Sequence, residues 1–151
     1  LALVKSSAGA AVTVHSQLCE GALAAKVDAA GLSSALLNLV SNARDAMENM
    51  TGERSLVLRT RRAQGSEAQL EGGEYAVLEV TDNGPGMSEA VKDRAFEPFF
   101  TTKALERGTG LGLSMVRGFC EQLGGTARID SEPGRGTTVR LYLPVQASAQ
   151  A

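Results

Sequence analysis

A chain of 151 residues, 43% hydrophobic, 21% charged and with only four prolines, has the length and composition of a single folded domain with its own core, which excludes a disordered or fibrous protein. With 15 Lys and Arg against 17 Asp and Glu, the net charge of −2 supplies no bulk field for nucleic acid or an anionic membrane, so any bound anion is held by local geometry. No apolar run of about 18 residues and no secretory leader is visible, which predicts a cytoplasmic domain without direct membrane contact.

Residues 1–11 are small and weakly patterned and read as a tail or the end of a linker; the domain runs over residues 12–145, and 146–151 form a C-terminal tail. The first residue is Leu1 rather than Met, which suggests a piece of a longer protein, though a trimmed chain looks the same. Val12 and Val14 alternate with Thr13 and His15, and 23–27 is another short apolar run, so two strands are expected here. From Gly31 to Met50, Leu32, Leu36, Leu39, Ala43, Met47 and Met50 recur at helical spacing, with Gly52 as a stop. Ser55 to Arg61 and Tyr75 to Thr81 read as the strands of a hairpin, joined by a polar loop over 64–73. A short helix capped by Ser88 extends to Phe96, and a longer one runs from Leu111 to Leu123, stopped by Gly124 and Gly125. Thr126 to Asp130 and Thr137 to Leu143 are closing strands around Pro133-Gly134-Arg135-Gly136. This order is not that of a doubly wound sheet; it predicts an α+β two-layer sandwich with a mixed sheet. Cys19 and Cys120 lack the spacing of a metal site or disulfide framework and read as free buried thiols.

Three glycine and asparagine constellations carry the chemistry. Along the first long helix Asn38, Asn42, Asp45 and Asn49 fall within a stripe about 60° wide, apart from the leucine stripe. Such a stripe is either a solvated face or a set of oxygen ligands for a hard cation such as Mg²⁺, which prefers few protein ligands plus phosphates. At a strand end stands Asp82-Asn83-Gly84-Pro85-Gly86, which is turn chemistry; yet a helix rather than a returning strand follows. The alternative use is a carboxylate accepting from an exocyclic amine, with Gly84 and Gly86 letting a flat ring lie against the backbone. The third, Gly108-Thr109-Gly110-Leu111-Gly112-Leu113, opens a helix and suits a phosphate, but matches neither a dinucleotide fingerprint nor a P-loop. Between these motifs, Phe96, Phe99 and Phe100 are three of the chain's four phenylalanines, either a satellite core or the anchor of a mobile lid over residues 101–108 whose cations are Lys103 and Arg107.

In this order and spacing the motifs resemble the catalytic and ATP-binding domain of bacterial sensor histidine kinases, in the superfamily shared with gyrase, MutL and the ninety-kilodalton heat-shock chaperone. Asn38 and Asn42 are similar to its N box, Asp82 to Gly86 to its first glycine box, Phe96 to Phe100 to its F box, and Gly108 to Leu113 to its second glycine box. The resemblance spans Val12 to Pro144. It implies the Bergerat-type fold, about five strands backed by three helices, and binding of Mg-ATP. It makes Asn42 the Mg²⁺ ligand, puts Asn38 near the phosphates, gives Asp82 the adenine amine and has Thr137 reach adenine through water. The nucleotide-contacting set is then Asn38, Asn42, Asp45, Asp82, Gly84, Gly86, Phe96, Thr102, Lys103, Gly108, Thr109, Gly110, Leu111, Gly112, Leu113 and Thr137.

ATP-hydrolysing relatives place a glutamate where this chain has Asn38. An amide is no general base near neutral pH, which favours transfer of the γ-phosphate to a protein histidine over attack by water. Many sensor kinases carry a lysine where this chain has Asp45, which puts Lys103, or Arg107, forward as the charge on the phosphates; Asn38, Asn42 and Lys103 are the catalytic candidates. The only histidine, His15, sits in a strand pattern, so the acceptor histidine is expected on a separate helical dimerisation segment. The implied partners are that segment and a response-regulator receiver domain, with the domain by itself a monomer. The alternatives are a non-catalytic nucleotide-sensing docking module and, further off, an ATP-hydrolysing clamp of the gyrase and MutL type.

Overall fold

The computed structural model describes residues 12–17, 29–47, 52–70, 73–97 and 112–144. The elements in chain order are β1 (Val12–Gln17), α1 (Ala29–Ala46), β2 (Arg54–Gln64), a 3₁₀ turn (Gly65–Ala68), β3 (Glu74–Asp82), α2 (Glu89–Arg94), α3 (Gly112–Gln122), β4 (Thr126–Ser131) and β5 (Thr137–Pro144). The expected strand over 23–27 lies outside the described residues.

One five-stranded sheet has the order β1-β2-β3-β5-β4. β1 runs parallel to β2, and the other neighbours are antiparallel. The parallel pair follows from its connection, because the chain between β1 and β2 contains α1, and a parallel pair needs a long crossover. The expected mixed-sheet α+β sandwich is the architecture observed.

The core forms where the helices meet one face of the sheet. On α1, Ala35, Leu39, Val40, Ala43 and Met47 are buried, while Leu32 and Leu36 pack at its margin. Val116 and Cys120 of α3 join them over Leu56, Leu58, Val80 and Leu141 from the central strands. The α1 helix ends before the expected Met50: the Met47 N–H is shared between Ala43 O at 3.1 Å and Arg44 O at 3.2 Å, which tightens the last turn. Ser88 caps α2 as expected, its Oγ accepting from Val91 N at 3.3 Å. α3 ends on Gly124 at φ +92°, where Gly125 N reaches back to Cys120 O at 2.9 Å.

The second face is partly covered. β2 continues beyond the expected Arg61 to Gln64, and the 3₁₀ turn folds its Ala68 over Tyr75, Val77 and Tyr142 in a small second cluster. The extension carries one ion pair, Arg62 to Glu74 at 2.7 Å, and the strand before it meets a buried carboxylate. Glu79, its side chain only 7% exposed, lies 3.1 Å from Arg61, 3.0 Å from Arg140 and 3.6 Å from Arg59. A carboxylate that buried is tolerated only when paired.

Candidate functional site

Asp82 ends β3 on the helix-facing side of the sheet and is 7% exposed. Opposite it in register stands Thr137, the first residue of β5. The Asp82 Oδ1 accepts from Gly84 N at 2.8 Å. Burial pushes its carboxyl above the ordinary range, while the backbone N–H groups of Gly84 and Thr137 pull the other way. The result is an oxygen acceptor fixed in direction and shielded from water at a strand end.

Backbone contacts lock the loop after Asp82. Gly86 takes φ +74°, and a Cβ there would lie 2.0 Å from Glu132 O; Gly136 takes φ +79°, and its Cβ would lie 2.1 Å from Asp82 O. Neither position admits a side chain, so the first glycine box and the β4–β5 turn touch backbone to backbone. Gly134 N donates to Pro85 O at 2.7 Å across the same seam. Ser131 completes it, its Oγ accepting from Met87 N at 2.9 Å and lying 2.8 Å from the Thr137 hydroxyl.

The end of α1 borders Asp82 and Gly84. A Cβ on Gly84 would meet Asp82 Oδ1 at 2.9 Å, Met47 Cγ at 3.4 Å and Ala46 Cβ at 3.6 Å, so the bare backbone of Gly84 leaves a space between α1 and the carboxylate. Asn42 lies one turn before Ala46 and Asn38 one turn before that, both half-buried rather than solvated. Asp45 is likewise largely covered, its side chain 16% exposed with Oδ1 3.9 Å from Arg44 Nε. A carboxylate at Asp82 can accept from an amino group, and the carboxamide oxygens that α1 carries are of the type that ligates hard cations.

The structure thus brings Asp82, Gly84, Gly86 and Thr137 together beside the helix of Asn38, Asn42 and Asp45. Phe96 has a packing role: its ring lies against the main core, with the Arg117 guanidinium 4.7 Å from its centroid. Leu113 also packs on the core. Gly112 opens α3. Asn49, Thr102, Lys103, Arg107, Gly108, Thr109, Gly110 and Leu111 lie outside the described residues, as do the lid expected over 101–108 and Cys19. Cys120 is buried, which pushes its thiol up to about 12. His15 is exposed on the edge strand β1.

Two contributors escape a reading of the sequence. Asn83 sits in a turn-like motif, but its amide spans to the start of β2, accepting from Ser55 N at 2.9 Å and donating to Glu53 O at 2.8 Å. Ser131 is one small residue at a strand end. Only the placement of β2 beside β3, and of β4 beside the loop after Asp82, shows what each does.

A family model for the histidine kinase-, DNA gyrase B- and HSP90-like ATPases matches residues 27–147. The chain belongs to that ATPase family, whose fold it has. Within the family it is similar to sensor kinases. It is 44% identical to the sensor kinase CckA of Brucella abortus over 79% of this chain and 13% of that protein. It is 40% identical to the sensor histidine kinase ZraS of Escherichia coli over 76% of this chain and 22% of that protein. The chain therefore spans less than a quarter of either relative. Among solved structures, the catalytic domain of histidine kinase ThkA aligns with 94% of this chain and 82% of its own, at TM-score 0.68 and 25% identity. The mycobacterial sensor histidine kinase MprB shares the fold, with TM-score 0.69 over 95% of this chain and 92% of its own at 24% identity.

Proposed function

We propose that this domain binds Mg-ATP and delivers the γ-phosphate to a histidine on a separate helical dimerisation segment, as the catalytic domain of a cytoplasmic two-component signalling kinase. The observation that carries the reading is the buried Asp82 carboxylate, fixed by Gly84 N at 2.8 Å, beside a helix carrying Asn38 and Asn42. Asp82 accepts from the adenine amine, and Thr137 completes the adenine floor through water. Asn42 offers its amide oxygen to Mg²⁺, which supplies charge neutralisation on the phosphates when bound. Asn38 lies near the phosphates and, being an amide, takes no proton from water. Transfer to an aligned histidine nitrogen is then favoured over hydrolysis: the bond from phosphorus to the ADP oxygen breaks, a bond to the imidazole nitrogen forms, and the imidazole releases its proton. Lys103 supplies the positive charge that Asp45 does not, and the second glycine box, Gly108 to Leu113, contributes backbone N–H groups to the phosphates. A response-regulator receiver domain is the onward acceptor.

Calorimetric titration with a non-hydrolysable ATP analogue, with and without Mg²⁺, tests the site. Binding that Mg²⁺ strengthens and Asp82→Asn weakens supports it; no binding by the wild-type chain overturns it. Phosphotransfer is tested separately by adding a helical acceptor segment from a related kinase. Labelling of that segment, with little release of free phosphate, separates a kinase from a hydrolytic clamp. Labelling of this chain that His15→Gln abolishes overturns the separate-acceptor reading, and Lys103→Ala with unchanged affinity and transfer rate removes Lys103 from the site.

A further inference from the structure

The sheet face turned away from the helices carries Arg59 and Arg61 of β2, Arg128 of β4 and Arg140 of β5. Three of them share Glu79, and Arg61 also holds Glu67 through two hydrogen bonds of 3.0 and 2.6 Å. Arg128 is different. Its guanidinium donates to Ala68 O at 2.7 Å and, at longer range, to Thr126 Oγ1 at 3.3 Å and Ala127 O at 3.4 Å, all uncharged acceptors. Among the described residues it is in none of the ion pairs, which include every other arginine of this face.

Arg128 also stands directly opposite Arg140 in the β4–β5 register. Like charges at facing positions of antiparallel strands repel. Arg140 spends its Nε on Glu79, and its remaining ion pair is a 3.7 Å approach to Asp130, whose side chain is 67% exposed. Two adjacent guanidinium forks thus keep donors in reserve. They open, with Arg61, Glu67, Gln69 and Tyr142, into a cleft of about 420 Å³. That volume lies in the range of small-molecule sites, about 300–1,000 Å³. The cleft is on the opposite face of β3 from Asp82, so it is separate from the nucleotide pocket.

We propose that this cleft is a second ligand site, taking a small molecule with a multiply charged oxyanion group whose oxygens bridge Arg128 and Arg140. Guanidinium forks match phosphate and carboxylate geometry, and an anion between them turns facing repulsion into a bridge. Glu67 is already neutralised by Arg61 and, with Gln69, offers acceptors to hydroxyl or amino groups on the body of the ligand.

The test is an NMR titration of the whole chain, following backbone and arginine Nε–H signals, with inorganic pyrophosphate in one arm and citrate in the other, ionic strength held constant with sodium chloride. The expected result is saturable shifts at Arg128, Arg140 and Gln69 in at least one arm, and the arm that saturates identifies a phosphate or a carboxylate ligand. Arg128→Gln should weaken that binding at least tenfold. Absence of saturation in both arms, shifts confined to α1 and the ends of β3 and β5, or binding by Arg128→Gln within twofold of wild type would overturn the proposal.

Discussion

The Asn83 carboxamide accepts from the backbone N–H of Ser55 at 2.9 Å, while the carboxylate of its neighbour Asp82 accepts from Gly84 N at 2.8 Å. Adjacent residues on one strand end divide the work, one fixing the start of β2 and the other presenting the acceptor. Asn83→Ala removes two side-chain to backbone hydrogen bonds, each worth about 0.5–1.5 kcal/mol. We expect chemical denaturation to show a loss of about 1–3 kcal/mol and nucleotide titration to show weaker binding in the same variant. Unchanged stability would mean that β2 is anchored without this residue.

Asp82→Asn should separate function from stability. Burial raises the Asp82 carboxyl above its unfolded value, so its ionisation disfavours the fold, and stability from this group falls as pH rises through the raised value. Near neutral pH the asparagine variant, which keeps an oxygen for Gly84 N, should be as stable as wild type or more so. Its affinity for an ATP analogue should fall at least about tenfold, the scale of a lost hydrogen bond to a charged group. Thermal melting and calorimetry on the same samples check both halves.

Gly86→Ala places a methyl group 2.0 Å from Glu132 O at a residue with φ +74°. The strain alone is about 1–3 kcal/mol, and relief requires the loop to leave the β4–β5 turn. Hydrogen exchange should quicken at Met87 and Gly134, whose N–H groups bond across that seam. Protection equal to wild type at both sites would contradict the backbone docking described here.

Acid should release the 3₁₀ turn late. Arg61 N–H bonds first, and the Tyr142 hydroxyl second, hold Glu67 at about 2 against an ordinary 4.5. A lowered carboxyl contributes stability above its unfolded value that is lost as pH falls through its folded value, here between about 4.5 and 2. NMR titration of the Glu67 side chain should show that low midpoint. Glu67→Gln should flatten the stability profile in that window and let Tyr142 ionise at lower pH, since the Glu67 carboxylate adds to the effect of burial on the phenol.

Elements with a strong local signal were legible in the sequence. The three- and four-residue steps of Leu36, Leu39, Ala43 and Met47 place α1, Ser88 marks the start of α2, and Gly124 marks the end of α3. The family resemblance implied a common place for Asp82, Gly84 and Thr137, and the structure brings the three together. The extension of β2 beyond Arg61 to Gln64 was hidden, because Arg62 and Gln64 look like loop composition until Arg62 pairs with Glu74 and Gln64 stands opposite it in the sheet. The parallel pairing of β1 with β2 carries no local signature either. Asn83 and Ser131 act on residues 28 and 44 positions away, and no sequence window contains both partners. Phe96, read as part of a small core or an aromatic anchor, packs on the main core, and its partner Arg117 comes from the next helix.

Because β3 is hydrogen-bonded to β5, Asp82 and Thr137 face each other although the chain between them includes α2, α3 and β4. The two halves of the candidate site are therefore stitched together by the sheet rather than by nearness along the chain, and a one-residue slip of β5 against β3 would turn Thr137 to the opposite face from Asp82.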